Sequence, residues 1–198
     1  MDQPSIDQEE VEPRPLLFGT GPVQADAVAA VLAALQPAAL VVRGGWPGSM
    51  EDITRLAHDH GAALLVDDDV DLARHVDGVH LNDFGHVRQA RERLGADRLL
   101  GADVDLSRHG AMTAGEDGAD YVAFGERDGP LSAEIIDLIR WWRDVTVLPC
   151  LAHATDVETA RKLADTGADF IGVSSAIWEH TDGPAAAAEA MAAILKKT

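Results

Sequence analysis

Eight times along this chain a short apolar run of strand length is followed by a longer stretch patterned for an amphipathic helix, and the alternation is never broken. The runs lie at Leu16–Gly19, Ala39–Arg43, Ala63–Asp67, Gly78–Asn82, Leu99–Asp103, Tyr121–Gly125, Thr146–Leu151 and Phe170–Ser174. The helical stretches lie at Ala25–Leu35, Ser49–His60, Val70–His75, Val87–Leu94, Leu106–Asp117, Ser132–Trp142, Asp156–Asp165 and Pro184–Leu195. Continuous apolar runs suit parallel strands buried on both faces. The junctions Gly95-Ala-Asp, Gly118-Ala-Asp and Gly167-Ala-Asp recur at separations of 23 and 49 residues, the second about twice the first, as one intervening unit requires. Each glycine is expected to end a helix in the left-handed conformation before a turn and a buried strand. Gly61 and Asp77-Gly78 occupy related places. Eight right-handed βα units can close on themselves, whereas a doubly wound open sheet usually uses fewer strands and leaves edges. The expected fold is a single α/β domain, a (β/α)8 TIM barrel over residues 15–198. Residues 1–14 carry Asp2, Asp7, Glu9, Glu10 and Glu12 with Pro4 and Pro13, too little apolar surface to offset ordering, and are expected to form a short disordered acidic tail.

Charge narrows the partners. Thirty-four acidic against sixteen basic residues give a formal charge of −18, a field that repels a nucleic-acid backbone. No apolar run reaches the ~18 to 20 residues that span a bilayer, and the N-terminus lacks the apolar core of a secretory signal, so the expected location is the cytoplasm, with no membrane partner. An anionic small molecule can still bind where local donors, a metal ion or helix N-termini outweigh the global field. Self-association into a homo-oligomer is left open. The lone cysteine, Cys150, excludes an internal disulfide and sits in an apolar run as a buried thiol would.

In a barrel of this kind the reactive groups follow the strands, so those positions hold the candidates. After the second run, Arg43-Gly-Gly-Trp-Pro-Gly48 offers a guanidinium for a phosphate and Trp46 for a heteroaromatic ring; the plainer reading is a glycine turn with a tryptophan on the rim. After the third, Asp67, Asp68 and Asp69 gather hard oxygen donors that suit Mg2+ beside a phosphate, or else cap the next helix. After the fourth, His80, Asn82 and Asp83 point to the same mouth, with a hydrogen-bonded structural histidine as the alternative. Asp103, Glu126-Arg127 and His153 follow the fifth to seventh. After the eighth, Gly172 lets a ligand approach the backbone, and Ser174 and Ser175 open a short turn as a phosphate cradle or a plain helix cap.

Four segments, Asp68-Asp-Val-Asp-Leu-Ala73, Asp77-Gly-Val-His-Leu81, Gly118-Ala-Asp-Tyr-Val-Ala-Phe-Gly125 and Gly167-Ala-Asp-Phe-Ile-Gly-Val-Ser-Ser-Ala-Ile177, resemble the thiamine phosphate synthase family, which includes the TenI thiazole tautomerases. The likeness runs from about Leu40 to Leu195. It implies a magnesium-dependent transferase of thiamine biosynthesis that joins hydroxymethylpyrimidine pyrophosphate to a thiazole phosphate. On that resemblance Arg43, Asp67 and Arg127 would be catalytic, Asp68 and Asp83 would hold the metal, and Gly172, Ser174 and Ser175 would take a phosphate. Trp46, His80, Asp103 and His153 would line the ligand pocket. The family's pattern is broken in several places. Its Arg-Glu-Lys survives only as Arg43, its serine after the fifth strand becomes Asp103, and its lysine loop becomes Glu126-Arg-Asp-Gly129. Its Gly-Gly-Ile turn becomes Leu151-Ala-His153. The expectation is a divergent synthase-like protein binding a phosphorylated ligand. The alternatives are an inactive ligand- or partner-binding barrel and a TenI-like tautomerase using His80 or His153.

Overall fold

The computed structural model describes residues 12–19, 24–43 and 48–196, and the tail residues 1–11 and Trp46 lie outside them. The elements run in order β1 (Arg14–Phe18), α1 (Ala25–Leu35), β2 (Ala39–Val42), α2 (Met50–Asp59), β3 (Ala63–Asp67), α3 (Val70–Ala73), β4 (Gly78–Leu81), a 3-10 turn (Phe84–His86), α4 (Val87–Leu94), β5 (Leu99–Asp103), α5 (Arg108–Glu116), β6 (Tyr121–Phe124), α6 (Ala133–Val145), β7 (Cys150–Ala154), α7 (Val157–Ala164), β8 (Phe170–Val173), α8 (Ser175–Trp178) and α9 (Pro184–Leu195). The strands pair in sequence order, all parallel, and β8 returns to β1 with Gly172 beside Leu16, so the sheet is a closed barrel.

Strand alternation divides the core in two. Leu16, Phe18, Val41, Leu65, Tyr121, Ala123 and Leu151 face the barrel interior and pack as one cluster. The residues between them, among them Leu17, Leu40, Leu64, Leu100, Val122 and Ile171, face the helices and join a second, larger cluster. Cys150 belongs to that outer layer, where burial pushes its thiol up to about 12 and leaves it inert at neutral pH. Ser49, Asp69, Ser107, Ser132 and Asp156 each accept a backbone N–H as helix N-caps, contributions of about 1 kcal/mol apiece.

The glycines of the repeated junctions are left-handed, with φ of 75° at Gly95, 100° at Gly118 and 86° at Gly167. The aspartates that follow two of them explain why the triplet recurs: Asp120 Oδ2 accepts Leu100 N–H at 2.8 Å and Asp169 Oδ2 accepts Cys150 N–H at 2.8 Å. Asp77 does the same for Leu64 at 2.7 Å. An acid just before one strand thus receives the first free amide of the strand before it, locking adjacent units at the N-terminal end of the barrel.

Among the strands, two move furthest from their expected bounds. The first strand begins at Arg14, whose N–H donates to Asp169 O, so the chain is already in the sheet at a position read from sequence as tail. The seventh strand runs Cys150–Ala154 rather than Thr146–Leu151. The apolar residues before it form a turn instead: Trp142 Nε1 donates to Leu148 O, Leu148 N–H donates to Thr146 Oγ1, and Val147 is 93% exposed. The shift carries His153 from the following loop into the barrel. Among the described residues no helix is long and apolar enough to cross a membrane.

Candidate functional site

The C-terminal mouth is bridged by a buried ion pair. Asp67, the last residue of β3, receives Arg127 Nη1 at 2.8 Å and Nη2 at 3.1 Å in the two-pronged geometry that matches a guanidinium to a carboxylate. Arg43, after β2, adds Nε at 3.2 Å and Nη2 at 3.1 Å on the same oxygen. Arg127 also reaches Asn82 Oδ1 at 3.4 Å, and its guanidinium carbon stands 4.3 Å over the Phe18 ring. Burial pushes the Asp67 carboxyl up, but Arg127, with smaller help from His80 and Arg43, outweighs it and holds it below its ordinary value. Burial likewise opposes the charge on Arg127, and Asp67 more than restores it. Both groups are therefore ionised.

Beneath this pair the barrel holds a polar chain. His80 Nδ1 lies 2.9 Å from Tyr121 Oη and its Nε2 3.0 Å from Asp103 Oδ1. Burial pushes the Asp103 carboxyl up, while His153 and His80 pull it down further and leave it well below the carboxylate range. A carboxylate accepts only, so the network assigns the proton of His80 to Nε2, and Tyr121 then donates to Nδ1. Burial, reinforced by Asp103 and opposed by Arg127, raises the Tyr121 phenol far above its ordinary value, so it stays a donor. His153 Nε2 stands 3.9 Å from Asp103, beyond hydrogen-bond range, and neither ring nitrogen has a partner among the described residues. Burial lowers its pKa and keeps it neutral.

Glycines on neighbouring strands make this chain possible. A Cβ on Gly101 would lie 2.0 Å from Tyr121 Cζ, and one on Gly172 would lie 2.5 Å from His153 Nδ1. Gly172 therefore admits the His153 ring, and the space expected for a ligand at that backbone position is occupied by a side chain. Phe18 caps the set, its ring centroid 5.1 Å from both His80 and His153.

At the end of β8, Ser174 Oγ is buried and has no hydrogen-bond partner among the described residues. Ser175 is engaged: its hydroxyl donates to Asp128 Oδ1 at 2.7 Å and its N–H points at the same oxygen at 3.4 Å.

The acids considered for a metal are not brought together. Asp67 is held by two arginines, Asp68 Oδ1 accepts Asn82 N–H at 3.3 Å from a left-handed residue, and Asp83 Oδ1 accepts Gly85 N–H at 2.8 Å in capping the 3-10 turn. Among the described residues no group of three or more histidine, cysteine or acidic side chains is placed to hold an ion. These donors do not fit Mg2+ as arranged, since the ion needs carboxylate oxygens that face it and one another.

Sequence reasoning missed Phe18, Tyr121 and Asp128. Tyr121 carried a signal in Gly101, one strand away, but only the register pairs the two. Asp128 carried none, being one surface acid among many.

A closed eight-stranded parallel barrel with polar side chains gathered at its C-terminal mouth places the protein among the (β/α)8 barrels. The chain belongs to the thiamine monophosphate synthase (TMP-TENI) family, whose model matches residues 48–177. It is 44% identical to the thiamine-phosphate synthase of Hyphomonas neptunium, across 73% of this chain and 69% of that one. It is 38% identical to that of Rhodospirillum centenum, across 70% and 72%. Among solved structures the thiamine phosphate pyrophosphorylase from Pyrococcus furiosus superposes with a TM-score of 0.77 at 23% identity, covering 95% of this chain and 98% of that one. A 3-hexulose-6-phosphate synthase superposes with 0.63 at 18%, covering 90% and 98%. At these identities both structures speak for the fold alone.

Proposed function

We propose that this is a cytoplasmic, divergent synthase-type barrel of thiamine biosynthesis that binds a phosphorylated ligand of thiazole or pyrimidine type at the mouth, with slow transfer chemistry. The observation that carries the reading is Ser174. A buried hydroxyl with no partner among the described residues costs about 1–3 kcal/mol, and a phosphate oxygen arriving at the end of β8 would recover it. Arg43 and Arg127 supply cationic charge across the mouth in a protein otherwise strongly acidic. The named relatives are thiamine-phosphate synthases, which selects a thiazole phosphate as the first ligand to try.

Slow transfer follows from the anions already in the mouth. Asp103, its side chain 17% exposed and its charge held by the hydrogen bond from His80, faces the space in which a leaving pyrophosphate would develop negative charge. Substituting a repelling group for one preorganised donor at such a point costs about 10²- to 10³-fold in turnover. A metal on Asp67 would require that carboxylate to leave Arg127 first.

Equilibrium binding of thiazole phosphate to the wild-type protein and to Ser174→Asp tests the site. Binding that Ser174→Asp abolishes while the variant still unfolds cooperatively supports it, and equal binding by both removes its basis. A coupled assay with both synthase substrates tests the chemistry, and ordinary turnover would overturn the slow-transfer reading.

A second reading, proton transfer on a bound ligand, is favoured by the Asp103–His80–Tyr121 chain. Asp103 alone of the three is open to the mouth, so it would touch the ligand, with His80 fixing its orientation.

A further inference from the structure

Arg127 and Asp128 are consecutive residues of the loop between β6 and α6, yet their side chains anchor on different strands of the mouth. Arg127 forks onto Asp67 at the end of β3, and Asp128 takes the Ser175 hydroxyl and N–H beyond β8. The four residues Glu126–Gly129 form one tight turn, in which Gly129 N–H donates to Glu126 O at 3.1 Å and a Cβ on Gly129 would lie 2.8 Å from that of Glu126. From this arrangement we infer that Glu126–Gly129 is a self-occluding strap, in which the Asp128 carboxylate occupies donors that a ligand phosphate needs and must leave them for the ligand to bind. The inference rests on the reading of the β8 end as a phosphate site.

A carboxylate and a phosphate are both anionic acceptors, so they compete for the Ser175 donors and repel one another if both are present. The two anchors are unequal. Asp67 is buried and grips Arg127 with both oxygens, whereas Asp128 is exposed and attached through one oxygen. Release therefore starts at the Asp128 end, with Arg127 still in place. Two further polar groups point to an absent acceptor: Ser174 Oγ and Arg127 Nε are buried, and neither has a partner among the described residues. With the strap closed Asp128 serves neither of them. An incoming phosphate offers three or four acceptor oxygens where the carboxylate offers two, enough to take up Ser175 and the unused Ser174 hydroxyl together.

The strap lowers apparent affinity by the fraction of molecules in which it is open, so removing Asp128 restores the intrinsic value. Calorimetry with inorganic phosphate and with thiazole phosphate on the wild type, Asp128→Ala and Asp128→Ala/Ser174→Asp tests this. The expected result is an affinity about five- to tenfold higher for Asp128→Ala than for the wild type, corresponding to a strap open in about 10–20% of molecules, and lost again in the double variant. Hydrogen exchange adds a direct view: phosphate should speed exchange at Gly129 of the wild type and leave Asp128→Ala unchanged. Equal, measurable affinity in the wild type and Asp128→Ala overturns the strap and leaves the phosphate site standing. No binding by either protein overturns the site, and the strap with it. Tighter binding that survives Ser174→Asp places the anion elsewhere and also overturns the strap.

Discussion

Replacing Arg127 with methionine keeps an apolar stem over Phe18 and removes the charge that Asp67 faces. The Asp67 side chain is 2% exposed, that of Arg127 19% and that of Arg43 67%. Stripping one partner from a fully buried pair costs about 3–5 kcal/mol, because the remaining charge has nowhere to be solvated. Here Arg43 stays on Oδ2 and the vacated space opens to the mouth, so roughly half of that, about 1.5–3 kcal/mol, is expected. Loss of the guanidinium from the Phe18 face adds about 0.5–1 kcal/mol. With a urea slope of about 2 kcal/mol/M, the unfolding midpoint should fall by about 1 M or more at an unchanged slope. Asp67→Asn removes the charge that suffers, so in that background Arg127→Met should cost less than about 1 kcal/mol. A midpoint within about 0.2 M of the wild type, or the same cost in both backgrounds, would refute the reasoning.

Gly172→Ala should destabilise by about 1–3 kcal/mol through the clash with His153, and by much less when combined with His153→Ala; equal losses in denaturant melts of the two backgrounds would show that the ring does not fill that slot. Stability should fall with acidification in two stages. His153 has a lowered pKa, so below about 6.5 the unfolded chain takes a proton that the folded one refuses; Asp67 and Asp103, also lowered, contribute stability above about 3.9 that is lost below it. A melting temperature flat from pH 7 to pH 3 would contradict all three assignments. Calorimetry should show no Mg2+ binding without pyrophosphate, because Arg127 holds the first carboxylate the ion would need; tight binding of the metal alone would show that the pair opens freely.

The barrel was legible because strands buried on both sheet faces appear as uninterrupted apolar runs, and because the Gly-Ala-Asp junctions repeat for a physical reason, a left-handed helix end and an acid that satisfies the neighbouring strand. The seventh strand was misplaced because Val147 and Leu148 look like strand residues, while the turn that uses them is fixed by Thr146 and Trp142. That slip put His153 in the loop after the strand instead of within it. Positions of Arg43, Asp67, Asp103 and Ser174 at the mouth could be read from the ends of their runs. Their partners could not, since alternation says which residues face inward and not which side chain fills the gap beside Gly101 or Gly172. Trp46 lies outside the described residues. The bond from Ser175 to Asp128 joins residues 47 apart through exposed loops, where no period or motif marks a pair.

Whether a phosphate is held at the end of β8 is measured most directly by a crystal structure grown with thiazole phosphate. The phosphate is expected within about 3 Å of Ser174 Oγ and of the Ser175 amide, with the Asp128 carboxylate withdrawn from Ser175. Phosphate density elsewhere in the mouth, or none at saturating ligand with Ser174 Oγ bonded to another protein group, would contradict it.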